Sequence, residues 1–518
     1  MSVPRKTLHR VGAPPLRPSW QLRHIGVAAL RHICVAAHRH ICVAALLGSV
    51  TIGCSGGDES VETTVETTIA TTTTVEPTTT TTVAPAPMFG DLTSPCGPAG
   101  ESGVPTIAEG QNGAESLKLG VANDHGFAGA ENPTIEMLDS ARAFAAWCNA
   151  QGGIRGLPIE IIDLDAAVTG VPLAVERACA EVFALVGGGW TLDDQMFPRF
   201  HECGLVSLPA FTTTAAAAMG NGKIQSIPNP IDRDSTTWLR WIADSYRDAV
   251  DDVAIVHADL PAVSALADRL AAAMQLVDGF GEPVTVTYDP AITYDPGGST
   301  SWSDIVRELA AGKITAVSFI GDPSQLVAFA TAMNAANFVP AVVFGENNLL
   351  SPVVSEAVGV GSLANLRVRT IHAPISEPET SPAVSSYLDM MRTHSPNGRI
   401  AGLGLHSVSA MLLFATAANA CLDSDNNVLE RECILSAAKG TTSWTAGGLH
   451  SATDPGGNLP SRCTIIMGID NGGWSRVFPL LGSSDDNANG WFCDDESIVP
   501  IEGVFGDASS GVDPSRLN

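Results

Sequence analysis

Three loops of small and hydroxyl-bearing residues stand directly after three short apolar segments of the chain. They are HGFAG (125–129), GGGWT (187–191) and PAFTT (209–213), and they follow LKLGVAND, ALV and GLVSL. Backbone N–H groups and threonine hydroxyls in such loops donate hydrogen bonds to a small polar ligand. None of the three loops brings an evident catalytic group. The pattern therefore indicates a binding cleft.

Motifs of hydrolytic and nucleotide-dependent enzymes are missing from the sequence. There is no GxSxG elbow, no HExxH, and no GxGxxG that opens a helix after a strand. His201 and Cys203 share a helix face, where the cysteine is better explained as a disulfide partner. We therefore expect no enzyme, no cofactor and no metal site. Hydrolysis of a small amide is the weakest alternative that we retain.

Eight cysteines follow Cys54, and an even number in an exported chain indicates four disulfides. Cys421 and Cys433 flank a turn between two predicted helices, and Cys463 and Cys493 flank a predicted hairpin, so each of these pairs is expected to form a disulfide. Cys179 and Cys203 lie on successive predicted helices and can meet, so we expect them to form a disulfide. Cys96 and Cys148 then remain as the fourth pair by elimination. The sequence alone leaves the pairing among these four cysteines open.

Short β-branched segments alternate with amphipathic helices along most of the chain. One such series covers 117–211, and a second begins near Ile231. This alternation predicts parallel sheets covered by helices on both faces, in two Rossmann-like lobes. After LRVRTIHAP the pattern changes to helices, which are best placed over the first lobe. The backbone then crosses between the lobes more than once and makes a hinge.

Four features give the chain a resemblance to a known family. They are NAQGGIRGLPIE, ALVGGG, GLVSLPA, and the late segment GGLHSATDPGGNLPSRCTIIMGIDNGGW. Together they resemble the leucine/isoleucine/valine-type substrate-binding proteins of ABC transporters, which have the type I periplasmic binding fold. The resemblance covers roughly residues 115–482. By analogy, lobe I is 115–230 plus 370–450, lobe II is 231–365 plus 458–482, and 483–518 is an acidic C-terminal tail.

The resemblance implies which lobe I residues hold the carboxylate of a ligand. Thr191, with Trp190 before it, occupies the place of the family's hydroxyl residue after the third strand. Ala210 would offer a backbone carbonyl and Thr212 a second hydroxyl. Such donors suit a carboxylate. The alternative for Thr191 is that it only caps the helix that starts near Asp193.

The resemblance also implies an acid in lobe II that meets the ligand ammonium. Glu346 in FGENN takes this place, or Asn347 if the alignment shifts by one residue. Two positions differ from the family, because Asp322 stands where relatives offer an aromatic residue and Ala262 stands where a tyrosine is common. These differences favour a more polar ligand, or one with a second positive group for Asp322. Trp190 and Phe127 are expected to replace the lost apolar wall.

The front of the chain reads as an export signal. Residues 22–45 contain an eight-residue His/Cys repeat that matches no zinc pattern, and we interpret it as a leader duplication or as a sign of a later start. The apolar run ICVAALLGSVTIG then ends at Cys54, which resembles the lipidated cysteine of a bacterial lipobox. An ordinary secretory signal or an uncleaved anchor are the alternatives. The expected leader is 1–53, and 54–92 is the anchor with a Thr/Pro-rich tether.

Charge and hydropathy restrict the partners. The formal net charge of −27 excludes a nucleic-acid partner. We expect no segment after the leader to be long and apolar enough to cross a bilayer. We expect a monomeric, lipid-anchored receptor, on the outer face of the cytoplasmic membrane or in the periplasm, that delivers a small molecule to ABC permease subunits. A sensory or cell-surface module with the same fold is the alternative.

Overall fold

The computed structural model describes residues 87–108, 114–290, 301–357, 361–424, 427–470 and 472–516. The leader repeats, Cys54 and most of the Thr/Pro tract lie outside the described residues. The described part forms two α/β lobes, which confirms the fold class predicted from the sequence.

The elements from the first hairpin to the end of the first sheet of lobe I are given in chain order. They are β1 (Met88–Phe89), β2 (Leu92–Thr93), β3 (Thr106–Ile107), β4 (Leu117–Asn123), α1 (Ile135–Ala150), β5 (Ile159–Asp165), α2 (Val171–Glu181), β6 (Ala184–Val186), α3 (Arg199–Glu202), β7 (Val206–Leu208) and α4 (Ala215–Met219).

Lobe II follows, and the chain then returns to lobe I. The elements up to this return are β8 (Arg233–Ser235), α5 (Thr237–Ser245), β9 (Val253–Ala258), α6 (Pro261–Met274), β10 (Val284–Tyr288), α7 (Trp302–Ala311), β11 (Ala316–Ile320), α8 (Pro323–Ala335), β12 (Val342–Gly345), α9 (Pro352–Ser355) and β13 (Leu366–Thr370). The remaining elements are α10 (Pro382–His394), α11 (Gly402–Ser424), β14 (Val428–Leu429), α12 (Arg431–Lys439), β15 (Cys463–Asp470), β16 (Gly473–Phe478), β17 (Phe492–Cys493) and β18 (Ile498–Pro500).

Each lobe is built on a sheet with helices on both faces. The lobe I sheet has the parallel order β5–β4–β6–β7. Helices α1, α10 and α11 cover one face, and α2 and α3 cover the other. The lobe II sheet has the order β10–β9–β11–β12–β13–β15–β16, in which the first five strands are parallel and the last two are antiparallel. The strands are nearly continuous apolar runs because both of their faces are buried.

The chain crosses between the lobes three times, near 225–232, 371–374 and 451–462. The second and third crossings pair with each other: His372 and His450 form an antiparallel bridge, flanked by hydrogen bonds from Ala373 N to Leu449 O (3.0 Å) and from Ser451 N to Ile371 O (2.9 Å). Several short crossings of this kind allow the lobes to rotate about a hinge.

Helix α11 corrects one expectation. Gly402–Ser424 is long and apolar enough to cross a membrane by length and composition, although the sequence analysis expected no such segment after the leader. In the folded protein this helix is mostly buried and packs in the core of lobe I. Its apolar character is therefore explained by contacts within the lobe.

Both ends of the described chain are folded against the lobes. Residues 87–92, the end of the expected tether, form the β1–β2 hairpin together with Thr93, and Phe89 is fully buried in the lobe I core. In the segment expected to be an acidic tail, β18 pairs with β8. Gly511 then accepts a hydrogen bond from Asn221 of lobe I (3.1 Å). Residues 483–516 are thus an integral part of the fold.

The described residues form four disulfides, which join Cys96 to Cys148, Cys179 to Cys203, Cys421 to Cys433 and Cys463 to Cys493. These are the four pairs expected from the sequence. Three of them lie in lobe I or at its N-terminal approach, and the fourth joins β15 to β17.

Candidate functional site

A cavity of about 360 Å³ lies between the lobes, at the carboxyl ends of the parallel strands. Ligands of open α/β sheets bind at this edge because the strand-to-helix loops converge there. Its apolar wall comes from both lobes and includes Phe127, Phe211, Leu260, Tyr288, Phe319 and Leu403. Charged and uncharged polar side chains line much of the rest of the wall.

The two lobes touch at the mouth of this cavity. Gln325 at the start of α8 donates to the carbonyl of Pro290 (2.7 Å) and to that of Gly129 in lobe I (3.5 Å). A Cβ atom on Gly129 would lie 2.7 Å from the Pro290 carbonyl oxygen, so a glycine is needed for the lobes to come this close. The lobes are therefore in direct contact at this side of the cavity.

Thr191 lies at the cavity, but its donors are already used. The backbone N–H and the hydroxyl of Thr191 donate to one carboxylate oxygen of Asp124, at 2.7 and 2.8 Å. The other oxygen accepts the N–H of Val168 at 2.7 Å. Burial raises the pKa of Asp124 although these hydrogen bonds favour its charged form. Thr191 thus binds a carboxylate, and that carboxylate belongs to the chain itself.

The next loop repeats this arrangement with a second acid. Asp193 accepts the backbone N–H groups of Thr213 (2.8 Å) and Thr214 (3.0 Å) and the Thr214 hydroxyl (2.5 Å). Burial raises the pKa of Asp193 to about 7. Thr212 lines the cavity and donates its hydroxyl to Gln225 (3.2 Å).

A buried lysine lies behind these loops. The Lys223 ammonium donates to the carbonyl of Ala218 at 3.0 Å, and burial lowers its pKa to about 8. Lys223, Asp193 and Trp190 line a small cavity of about 20 Å³. This space is sufficient for one water molecule with polar neighbours.

On the lobe II side, Glu346 belongs to an ionic cluster. Its carboxylate lies 3.4 Å from the Arg369 guanidinium, which is also 3.7 Å from Asp234. Asp234 in turn lies 3.6 Å from Arg269. Arg369 stacks over the Trp238 ring, with 5.8 Å from its guanidinium carbon to the ring centroid. Two arginines thus neutralise two acids in the cavity wall.

Asp322 lines the cavity and caps helix α8. Its carboxylate accepts the N–H (2.8 Å) and the hydroxyl (2.5 Å) of Ser324. Burial raises its pKa, and the positive charge of Arg399 in lobe I partly opposes this rise. Arg399 lies 3.9 Å from Glu136, whose pKa burial raises to about 7. Acids of both lobes therefore face the same part of the cleft.

Of the apolar residues expected at the site, only Phe127 lines the cavity. Trp190 is buried in the lobe I core, where its indole N–H donates to the Leu164 carbonyl (2.9 Å), and we assign it to that core. The Ala210 carbonyl accepts a hydrogen bond from Nδ1 of His406 (3.0 Å), a residue that does line the cavity.

The sequence reasoning missed Asp124, Glu136, Arg369 and Arg399. Asp124 directly follows β4, so the rule that sites form at strand ends could have identified it. Arg399 precedes a helix that is distant in sequence, and only the fold brings it to the cleft. Among the residues that the structure describes, there is no group of His, Cys, Asp or Glu suited to a metal ion.

Comparison with known proteins identifies the fold. A family model described as "Periplasmic binding protein" matches residues 116–473. A search of curated protein sequences found no match. Three solved structures are similar to this chain; the values in parentheses are sequence identity, coverage of this chain, coverage of the other chain, and TM-score. They are a fatty acid ABC transporter substrate-binding protein from Thermomonospora curvata (16%, 73%, 95%, 0.59), a branched-chain amino acid transporter substrate-binding protein from Streptococcus pneumoniae in complex with isoleucine (13%, 70%, 100%, 0.54), and an ABC transporter solute-binding protein from R. palustris in complex with 4-hydroxybenzoate (12%, 70%, 96%, 0.54). At these identities the structures establish a shared fold.

Proposed function

Because this chain belongs to the periplasmic binding protein family, we propose that it is an extracytoplasmic solute receptor that captures a small polar ligand between its lobes for an ABC transporter. The observation that carries this proposal is the cavity of about 360 Å³, which both lobes line at the strand ends. A ligand held there contacts both lobes at once, so its binding favours the closed arrangement. An amino acid or a related amide or amine has a suitable size and polarity.

The chemistry of the wall supports binding without turnover. His406 uses Nδ1 to donate to the Ala210 carbonyl, and burial lowers its pKa to about 4. A histidine with so low a pKa stays neutral and is a poor base near neutral pH. We therefore propose a receptor rather than a hydrolase. Recovery of unchanged ligand after prolonged incubation supports this proposal, and appearance of a cleaved product contradicts it.

We propose ligand contacts for Thr212 and Phe127 in lobe I and for Asp322 and Glu346 in lobe II. All four line the cavity. Thr191 would act through Asp124, while Trp190 and Ala210 would hold the loops that follow β6 and β7 in place. Substitution of each cavity residue should change affinity, whereas Trp190→Phe should mainly change stability.

We also propose that the receptor is monomeric and lipid-anchored through Cys54. The support is the basic, apolar leader that ends at this cysteine and the Thr/Pro tract after it. Metabolic labelling with a fatty-acid analogue should tag the wild-type chain and leave Cys54→Ala untagged. Equal labelling of both would remove the anchor from the proposal and leave solute binding untouched.

Transport itself is tested in cells. A strain that lacks this chain should take up the identified ligand more slowly, and the wild-type gene should restore uptake. A variant that folds but does not bind should fail to restore it. Normal uptake without the chain, together with a changed transcriptional response to the ligand, would favour the sensory role.

A further inference from the structure

The donors that would hold a ligand carboxylate in lobe I are committed to side chains of the protein. Asp124 takes the N–H and hydroxyl of Thr191 and the N–H of Val168. Asp193 takes the donors of Thr213 and Thr214. Asp124 is only 1% exposed and Asp193 only 3%. A second carboxylate arriving here would find like charge instead of free donors, which disfavours its binding.

The arginines of the cleft are committed as well. Arg369 pairs with Glu346 and Asp234, and Arg269 lies 3.6 Å from Asp234, so the two arginines and two acids of this lobe II cluster are neutral together. Arg269 donates to the Pro230 carbonyl (2.6 Å) and to Asn229 (2.9 Å).

Arg399 is occupied by main-chain acceptors of lobe I. It donates to the carbonyl of Asn132 (3.0 Å) and to that of Glu131 (3.3 Å). Nε of Arg269 is buried without a hydrogen-bond partner, but each guanidinium group of the cavity wall already has an acceptor, so an anionic ligand gains little from them.

Three acids of the cavity wall remain with a single nearby cation. Glu136, 3% exposed, has Arg399 at 3.9 Å. Among the described residues, no Arg, Lys or His nitrogen forms a salt bridge with Asp124 or with Asp322. Asp124 and Glu136 lie on the same side of the cleft, since the Asp124 N–H donates to Thr134 at the start of α1 (3.0 Å) and Glu136 is in the first turn of that helix. Asp322 reaches the cavity from the opposite lobe.

From this arrangement we infer that the cleft selects an organic cation that carries no carboxylate, an amine or guanidine on an apolar body, and rejects α-amino acids. The inference rests on the proposed receptor function and specifies its ligand. The cation would neutralise Asp124 and Glu136 of lobe I and Asp322 of lobe II, so that charge pairing drives closure. The raised pKa of each of these three acids agrees with buried carboxylates that lack such a partner. Phe127, Phe211 and Leu403 would cover the apolar body of the ligand.

Pairs of compounds that differ by one carboxylate test this inference directly. Isothermal titration of the folded wild-type chain would compare isopentylamine with leucine, phenethylamine with phenylalanine, and agmatine with arginine. At least one amine should bind roughly 100-fold more tightly than its amino acid, since the carboxylate must displace or face a buried charge.

Variants distinguish an effect of the lost charge on affinity from an effect on folding. Asp124→Asn and Asp322→Asn should each weaken the amine roughly 10- to 100-fold. Asparagine still caps helix α8 at position 322, so this variant remains informative if the change at 124 prevents folding. Asp389→Asn removes the same charge from an exposed face of α10, outside the cavity wall, and should leave affinity unchanged.

Different results would contradict the inferred ligand class and the receptor function. An amino acid that binds as tightly as its amine overturns the inference and supports a receptor. Tight binding that is limited to neutral amides or to simple carboxylates also overturns the inference and supports a receptor. No binding by any compound of these classes contradicts both. Amine binding unchanged in both Asp124→Asn and Asp322→Asn would also overturn the inference.

Discussion

Thr191 donates both its backbone N–H and its hydroxyl to the carboxylate of Asp124, at 2.7 and 2.8 Å. These two donors would suit an anionic ligand, but they are already used by Asp124, which directly follows β4. The pair links the loop after β4 to the loop after β6. It therefore contributes both to the shape of the cleft and to its charge.

The first prediction concerns this pair. Thr191→Val removes the hydroxyl donor at nearly constant volume and leaves a buried carboxylate with one hydrogen bond fewer, so the free energy of unfolding should fall by about 1–3 kcal/mol. Thr191→Ser keeps the hydroxyl and should lose much less. Chemical denaturation of both variants provides the measurement. Equal losses would show that the methyl group, and not the hydrogen bond, stabilises the loop.

The second prediction concerns the C-terminal segment. Asn221 is 1% exposed; its amide donates to the Asp513 carbonyl (2.5 Å) and its side-chain oxygen accepts the Asp513 N–H (2.8 Å). Asn221→Ala removes both bonds and a third from the same amide to the Arg516 carbonyl (3.3 Å), and should lower stability by about 1–3 kcal/mol. It should also speed proteolytic removal of the segment that follows β18. Proteolysis at the wild-type rate would contradict the account of a segment fixed on lobe I.

The third prediction concerns pH. His450 lies in the hinge, and burial lowers its pKa to about 4 from the usual 6.5. Between these values the unfolded chain binds the proton and the folded chain does not, so this histidine makes stability fall as the pH drops from about 6.5 to 4. Buried Asp193 and Glu136, with pKa values raised to about 7, act in the opposite direction.

A variant isolates the histidine from these acids. The amide of His450→Gln can replace the hydrogen bonds to Ser451 and Ser409 without titrating. The stability difference between variant and wild type should shift toward the variant by on the order of 3 kcal/mol from pH 7.5 to pH 4. Denaturation curves at several pH values measure this difference. A difference that stays constant with pH would contradict a neutral, buried His450.

The fourth prediction concerns the disulfides. Mass spectrometry without reduction should find the four pairs and no free thiol among the eight cysteines that follow Cys54. The Cys96–Cys148 bond spans 52 residues and the Cys421–Cys433 bond spans 12. From the loop entropy of the unfolded chain, removal of the longer link should cost about 4 kcal/mol and removal of the shorter about 3 kcal/mol. Free thiols at these positions would contradict export into an oxidising compartment.

Much of the fold was predictable because helices and strands alternate with clear periodicity. The segments LKLGVAN and VAIVHA are apolar because helices cover both faces of their sheets, so they could be recognised as strands. The positions of Thr212, Asp322 and Glu346 were expected from the resemblance to the binding-protein family, and all three residues line the cavity at the strand ends.

The partners of these residues were not predictable. Nothing local in the sequence indicates that Asp124 accepts the donors of Thr191, which are 67 residues away, or that Arg369 pairs with Glu346. The C-terminal segment looked like a tail because its sequence is acidic, yet pairing of β18 with β8 and contacts of Gly511 fix it to both lobes. These side-chain pairs and the position of the C-terminal segment depend on tertiary contacts, about which the periodicity of apolar residues in the sequence carries no information.

The most direct test of the receptor function is a thermal-shift screen of amines, amino acids, amides and small carboxylates. One chemical class should raise the melting temperature, since a ligand at about 100 times its Kd stabilises the bound state by about 2.7 kcal/mol. The shift should vanish in Leu403→Trp, which fills the cavity, and persist in Leu173→Trp, where the side chain is 79% exposed on α2. A melting temperature that no class changes, or a shift that survives Leu403→Trp, would contradict a receptor that binds its ligand between the two lobes.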